Sequence, residues 1–168
     1  MHGVHVACCR GTQRALVKCM NYYRINEGDH IRIISMQNGG DVKAVFTRLY
    51  DGIQLIGGGV SKITGAEQPF MIHPLFGNVT CCPSNLGSGM RGSVHILVPK
   101  LIAKVGFGSI DTMCRERNCQ ARGSSGEHSA VVDRIDVSNW RRIGFPEWML
   151  VQDMIACANY LASLEDGI

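Results

Sequence analysis

Hydrophobic positions along this chain switch between a spacing of two and a spacing near 3.6, and the switches mark out its predicted elements. Ala15–Met20 and Ile31–Met36 are short apolar runs, and the polar turn Asn26-Glu27-Gly28-Asp29 between them predicts a hairpin. In the second run Arg32, Ile34 and Met36 share one face and Ile31 and Ile33 the other, so a mostly buried sheet displays an arginine. Gly39-Gly40 ends that strand. Asp41 is placed to cap a helix whose apolar positions are Val42, Val45, Phe46, Leu49, Ile53 and Ile56, and Gly57-Gly58-Gly59 is expected to stop it. Val79–Cys82 and Ser93–Val98 read as two more strands around the turn-rich stretch from Pro83 to Gly89. A helix is expected over Ser109–Asn118, with Ile110, Met113 and Cys114 on one face. A polar loop from Arg122 to Ser129 and a strand over Val131–Val137 follow it. The last helix starts at Pro146 and Glu147 and carries the stripe Val151, Met154, Ile155, Ala158, Leu161 and Leu164 to Gly167. The order β-β-α-β-β-α-β-α, with short links, predicts an α+β fold with a largely antiparallel sheet flanked by helices.

Composition narrows the class. A chain of 168 residues, 45% hydrophobic and 18% charged, has room for one domain with a real core, which excludes wholesale disorder and fibrous repeats. The net charge of +3 is too small to name a nucleic acid as partner. No apolar run approaches the roughly 18 to 20 residues that span a bilayer, and Met1–Arg10 lacks the pattern of a signal peptide, so a cytoplasmic protein with no membrane partner is expected. Eight cysteines invite a disulfide or metal reading, but Cys8/Cys9 and Cys81/Cys82 are adjacent, Cys19 and Cys157 isolated, and Cys114/Cys119 separated by four residues. None forms Cys-x-x-Cys. The expectation is reduced thiols and no metal site, with His2 and His5 beside Cys8/Cys9 on a flexible terminus.

Three arginines stand out by position: Arg32 after the hairpin turn, Arg91 after Gly87-Ser88-Gly89-Met90, and Arg122 before Gly123. Guanidinium forks beside glycine-rich backbone suit phosphate or carboxylate, so convergence would make a polyphosphate site; the alternative is three surface arginines in salt bridges. Gly-x-x-x-x-Gly-Lys-Ser/Thr is absent, and no Gly-x-Gly-x-x-Gly follows a strand. Any ATP site must be built in another way.

The runs Asn26-Glu27-Gly28-Asp29-His30-Ile31-Arg32-Ile33-Ile34-Ser35-Met36-Gln37, Cys82-Pro83-Ser84-Asn85-Leu86-Gly87, Arg91-Gly92-Ser93-Val94-His95-Ile96 and Asp136-Val137-Ser138-Asn139 resemble the phosphagen kinases, the ATP:guanidino phosphotransferases. The ordered likeness extends from about Arg10 to the last helix and covers the family's C-terminal catalytic domain only. The resemblance implies an antiparallel sheet backed by helices, with ATP across it and Mg²⁺ held through the nucleotide phosphates. It implies that Arg32, Arg91 and Arg122 bind phosphate, that His95 and Asp136 lie beside the nucleotide, and that Arg122-Gly123-Ser124-Ser125-Gly126-Glu127 is the closing loop. Cys82 resembles the family's reactive cysteine, and Glu127 the glutamate that holds arginine in arginine kinases, so L-arginine is the implied substrate.

Departures accompany the likeness. Gly28 occupies the second acidic position of the family's Asn-Glu-Glu-Asp-His motif, which supplies its catalytic glutamate, and Glu27 is the neighbouring glutamate that could take part of its role. Losing a positioned acid–base group costs about 10² to 10⁴ in rate. Segments matching the family's N-terminal helical domain and its Ser-Thr-Arg-Val-Arg stretch are also missing from the 168 residues, and Arg115 and Arg117, which share that spacing, fall in the predicted helix. The reading is therefore a guanidino kinase domain with weak or absent turnover alone, partnered by a homodimer mate or a separate N-terminal domain. The alternative is a non-catalytic nucleotide-binding or protein-interaction module on the same fold; a cysteine-based metal or redox protein is a third class.

Overall fold

The computed structural model describes residues 2–9, 20–123 and 133–168, and for 2–9, 20–22 and 27 the backbone alone. Six strands form one sheet: β1 (His2–Cys9), β2 (Met20–Glu27), β3 (His30–Asn38), β6 (Met90–Leu97), β7 (Cys119–Gly123) and β8 (Arg134–Asn139). The short strands β4 (Ile72–His73) and β5 (Gly77–Asn78) pair separately. The main sheet runs β2-β3-β1-β6-β8-β7, with β2–β3, β6–β8 and β8–β7 antiparallel and β1 parallel to both neighbours. Helices α1 (Val42–Thr64), α2 (Pro99–Arg115) and α3 (Glu147–Asp166) share one core with the sheet's inner face, where Ile33, Val94, Ile96, Ile135 and Val137 are buried. This is the expected mix of helices and a largely antiparallel sheet.

Several boundaries move, each for a local reason. The first hairpin arm is Met20–Glu27; residues 15–19 of the expected strand lie outside the described residues. Met1–Arg10 is not a flexible terminus over its length, because His2–Cys9 is a strand in the middle of the sheet. Alternating His, Val and Cys positions had signalled little, since a strand buried between two others need not alternate cleanly. Val79–Cys82 is not a strand: a 3-10 turn over Pro83–Asn85 follows it, and the paired strand starts only at Met90. The second helical element begins at Pro99, ten residues before Ser109, and is kinked at Gly106, whose φ of 76° and ψ of 158° are not helical. Its first turn has no side-chain cap of its own; Glu165 of α3 accepts instead from the amides of Lys100 at 3.1 Å and Leu101 at 2.7 Å. Arg122 lies in β7 rather than in a loop, and the last strand is Arg134–Asn139; Val131 and Val132 fall outside the described residues.

Asp41 caps α1 as expected, accepting from the Ala44 amide at 2.9 Å. Its guanidinium-bearing residue Arg48 ties the helix to β3 through Ser35 Oγ at 3.2 Å, Gln37 Oε1 at 3.1 Å and the Met36 carbonyl at 3.2 Å. The glycine triplet does not stop the helix, which continues to a left-handed cap at Gly65. Packing explains one glycine: a Cβ on Gly57 would meet Phe70 at 3.2 Å and Pro69 at 3.3 Å, whereas on Gly58 or Gly59 it would meet nothing within 4 Å. In α3 the expected stripe buries Val151, Met154 and Leu161 together with Leu150 and Cys157, while Ile155 is exposed. Gly58→Ala and Gly59→Ala are each expected to raise the urea unfolding free energy by about 0.5–1 kcal/mol, and Gly57→Ala to bring no gain.

Candidate functional site

The outer face of the sheet is set by alternation. Met90, Gly92, Val94 and Ile96 of β6 point toward the helices, so Arg91, Ser93 and His95 lie on the opposite face. Register then builds rows across three strands: His95 pairs with Asp136 and Asp136 with Arg122, while Ser93 pairs with Ser138 and Ser138 with Gln120. The serine row is small and buried, which leaves Arg91 room to reach along the strand and place Nη2 on Asp136 Oδ2. His95 Nε2 lies 3.9 Å from Asp136 Oδ1. Burial lowers the His95 pKa, against the pull of Asp136 and with help from Arg134 and Arg91. Arg91 Nε and Asp136 Oδ1 are buried with no hydrogen-bond partner among the described residues. With its amide oxygen turned inward, Gln120 accepts from Arg122 Nη2 at 3.0 Å and Nε at 3.3 Å.

The structure thus brings Arg91, His95, Asp136 and Arg122 together. Arg32 stands apart from them on β3. Its register partner on β1 is Gly3, whereas Arg91 pairs with His5, so one whole strand separates the two arginines, on the order of 10 Å. Gly123 ends β7 and is buried. Ser124, Ser125, Gly126 and Glu127 lie outside the described residues, and Glu27 is described in its backbone only, pairing with His30.

Cys82 is held beside this array by two charged side chains that sequence reasoning did not single out. Asp29, from the β2–β3 turn, accepts from the amides of Cys81 at 2.6 Å and Cys82 at 3.2 Å, and from Asn85 Nδ2 at 2.8 Å. Burial pushes the Asp29 pKa up, but the bonds from Asn85, Cys82 and Cys81 and the charge of Arg32 outweigh it and leave the carboxyl below its usual range. On the other side Arg142 donates to the carbonyls of Ser84 at 2.7 Å and Met90 at 3.2 Å. Burial lowers the Arg142 pKa, and so do Arg91 and Arg122, which places a third guanidinium in their field; Cys82 opposes the shift. Gly87, at a φ of 100°, lets the loop cross Arg142 closely, since a Cβ there would fall 2.4 Å from the Arg142 carbonyl oxygen. Asn139 completes the frame, accepting from the Gly92 amide at 2.8 Å and donating to Met90 and Arg141 carbonyls at 3.2 and 2.8 Å. The Arg141-Arg142 pair directly after a strand was the available signal for this corner; nothing local marked Gln120.

Cys82 is exposed, with Sγ 3.0 Å from Ser84 Oγ, and hydrogen bonding by Ser84 lowers its pKa below that of an ordinary thiol. Arg115 and Arg117 serve elsewhere: Arg115 lies 5.2 Å from the Trp140 ring and Arg117 3.6 Å from the Tyr160 ring. Among the described residues no group of His, Cys, Asp and Glu has the arrangement to hold a metal ion. Peptide-mapped iodoacetamide labelling across pH is expected to show Cys82 reacting with a midpoint below an ordinary thiol, and Ser84→Ala moving that midpoint upward. An unmoved midpoint in Ser84→Ala would remove the hydroxyl from this role.

The family model for the ATP:guanido phosphotransferase C-terminal catalytic domain matches residues 18–168. A probable arginine kinase of Caenorhabditis elegans is 44% identical over 142 residues, 84% of this chain and 36% of that protein. A taurocyamine kinase of Schistosoma mansoni is 39% identical over 143 residues, 84% of this chain and 18% of that protein. The crystal structure of a lombricine kinase superposes with a TM-score of 0.75 at 39% identity, covering 87% of this chain and 39% of that one. The chain spans 36% and 38% of the lengths of two arginine kinases that it matches.

Proposed function

The chain belongs to the ATP:guanido phosphotransferase family, where it matches the C-terminal catalytic domain, and from that premise we propose that its outer sheet face binds Mg·ATP for transfer of the γ-phosphoryl to a guanidino substrate. The observation that carries this reading is Arg91 paired with Asp136 beside His95, with Arg122 opposite Asp136 in register and Arg142 in the field of both arginines on the Cys82 loop. Phosphoryl transfer spreads negative charge over the transferring oxygens, and fixed guanidinium groups stabilise that charge without rearranging. The buried, unpartnered Nε of Arg91 suits a phosphate oxygen. Mg²⁺ would be held through the nucleotide phosphates and would help neutralise their charge, alongside Arg91 and Arg122.

On this reading Arg32, Arg91, Arg122, His95 and Asp136 bind the nucleotide, with Gly123, Ser124, Ser125, Gly126 and Glu127 as its closing loop. Cys82 and Glu127 flank the guanidino group, and Glu27 stands in for the family's missing glutamate. L-Arginine is the proposed substrate, supported by the Glu127 position and by the arginine kinases among the relatives; a taurocyamine kinase and a lombricine kinase are similar as well. A cytoplasmic site of action is part of the proposal; among the described residues no helix is long and apolar enough to cross a membrane. The chain is proposed to act as one catalytic-type domain, with weak or no turnover alone. Gly28 favours a second reading, a module that binds nucleotide without transferring phosphate, because the turn then lacks the family's acid.

Titration with Mg·ATP, with and without L-arginine, and assay of ADP formation separate the two. Space at the turn makes the test practical: a Cβ on Gly28 meets nothing within 4 Å. ATP binding with turnover that rises by about 10² or more in Gly28→Glu is expected for the kinase. Binding without turnover in either protein supports the module, and no binding removes both. Arg91→Ala is expected to weaken Mg·ATP by about 1.5–3 kcal/mol, and an unchanged affinity would take Arg91 out of the phosphate site.

A further inference from the structure

Three cysteines that the kinase reading leaves unused meet behind the sheet. Cys114 stands next to the end of α2, Cys119 opens β7 and Cys157 lies in the middle of α3; all three are free and fully buried. The backbone forces the meeting. A turn after α2, with Arg117 N on the Cys114 carbonyl at 2.9 Å and Asn118 at a φ of 58°, brings the start of β7 back beside the helix end. Two contacts then clamp that turn to α3 on either side of Cys157: Asn118 Nδ2 donates to Asp153 at 3.2 Å, and Arg117 lies over the Tyr160 ring at 3.6 Å. Asp153 and Tyr160 bracket Cys157 along α3, so the two clamps set Cys157 against the turn that carries Cys114 and Cys119. The neighbouring thiols and the Arg117 charge, against burial, lower the Cys157 pKa, and Cys157 and burial raise those of Cys114 and Cys119. The three sulfurs lack the arrangement to hold a metal ion.

We propose that this cluster is a thiol switch, in which a hydroperoxide converts it to one disulfide joining Cys157 to either Cys114 or Cys119, with the third thiol left reduced. The Cys157 thiolate attacks the peroxide, breaking its O–O bond, to give a sulfenic acid and hydroxide. The neighbouring thiol then forms the S–S bond and water leaves, so two thiols lose two electrons to one peroxide. The product staples α3 to the α2–β7 turn and anchors β7, the strand that carries Gln120 and Arg122. Because the cluster is buried, its oxidation waits on local opening and is slower than that of exposed Cys81 and Cys82. The switch stands on its own geometry, independent of the kinase reading.

The test is to oxidise the reduced chain with hydrogen peroxide, block remaining thiols with N-ethylmaleimide in denaturant, and map the peptides. A cross-linked peptide pair containing Cys157 and either Cys114 or Cys119 is expected. It should be lost on dithiothreitol treatment, and the thermal midpoint should rise by about 5 °C or more in the oxidised protein. Cys157→Ser should abolish both the cross-link and the shift; if that variant does not fold, the peptide map of the unaltered chain decides alone. Recovery of Cys157 as an alkylated thiol while Cys82 is oxidised, or of Cys157 linked to another cysteine, would overturn the proposal.

Discussion

One buried carboxylate carries the electrostatics of the outer face. Asp136 is the only charged residue that is buried among those described, and Arg91, His95 and, in register, Arg122 are arranged around it. Burial penalises a guanidinium charge and neighbouring guanidinium groups add to the penalty, in keeping with the lowered pKa of Arg142, which burial, Arg91 and Arg122 all push down. A carboxylate at the centre offsets part of that repulsion, so the array holds its shape before any anion arrives. Its cost is that one negative charge faces several positive ones, an imbalance that a polyphosphate would relieve.

The second organising element is a division of labour between Asp29 and Arg142 on the Cys82 loop. The carboxylate takes the loop's amides and the guanidinium takes its carbonyls, so backbone groups that would otherwise need water are paired with side chains from distant elements. The same Arg142 contributes to the positive field of Arg91 and Arg122. Loop position and site charge are therefore coupled through one residue, and a change at Arg142 is felt in both.

Much of this was legible in the residues. Asp41 as a cap, the burial of Val151, Met154 and Leu161, and the placement of Arg91, His95 and Asp136 on one face follow from local spacing or from short motifs. What stayed hidden depends on partners far along the chain. Helix α1 runs through its glycine triplet with Phe70 and Pro69 packed beside Gly57, and Glu165 caps a helix that begins at Pro99, far earlier in the chain. The strand His2–Cys9 gains its place from β3 and β6 on either side, not from its own pattern. Arg32 illustrates the converse: it shares a face with the other arginines as the alternation implied, yet β1 holds it apart from Arg91.

The dependence of the arginine array on Asp136 is tested most directly by urea unfolding of the unaltered chain and of Asp136→Asn without ligand at neutral pH. Removing one partner of a buried pair leaves the other uncompensated, so a loss of about 3–5 kcal/mol is expected. A loss under about 1 kcal/mol, the range of an exposed salt bridge, would contradict the account.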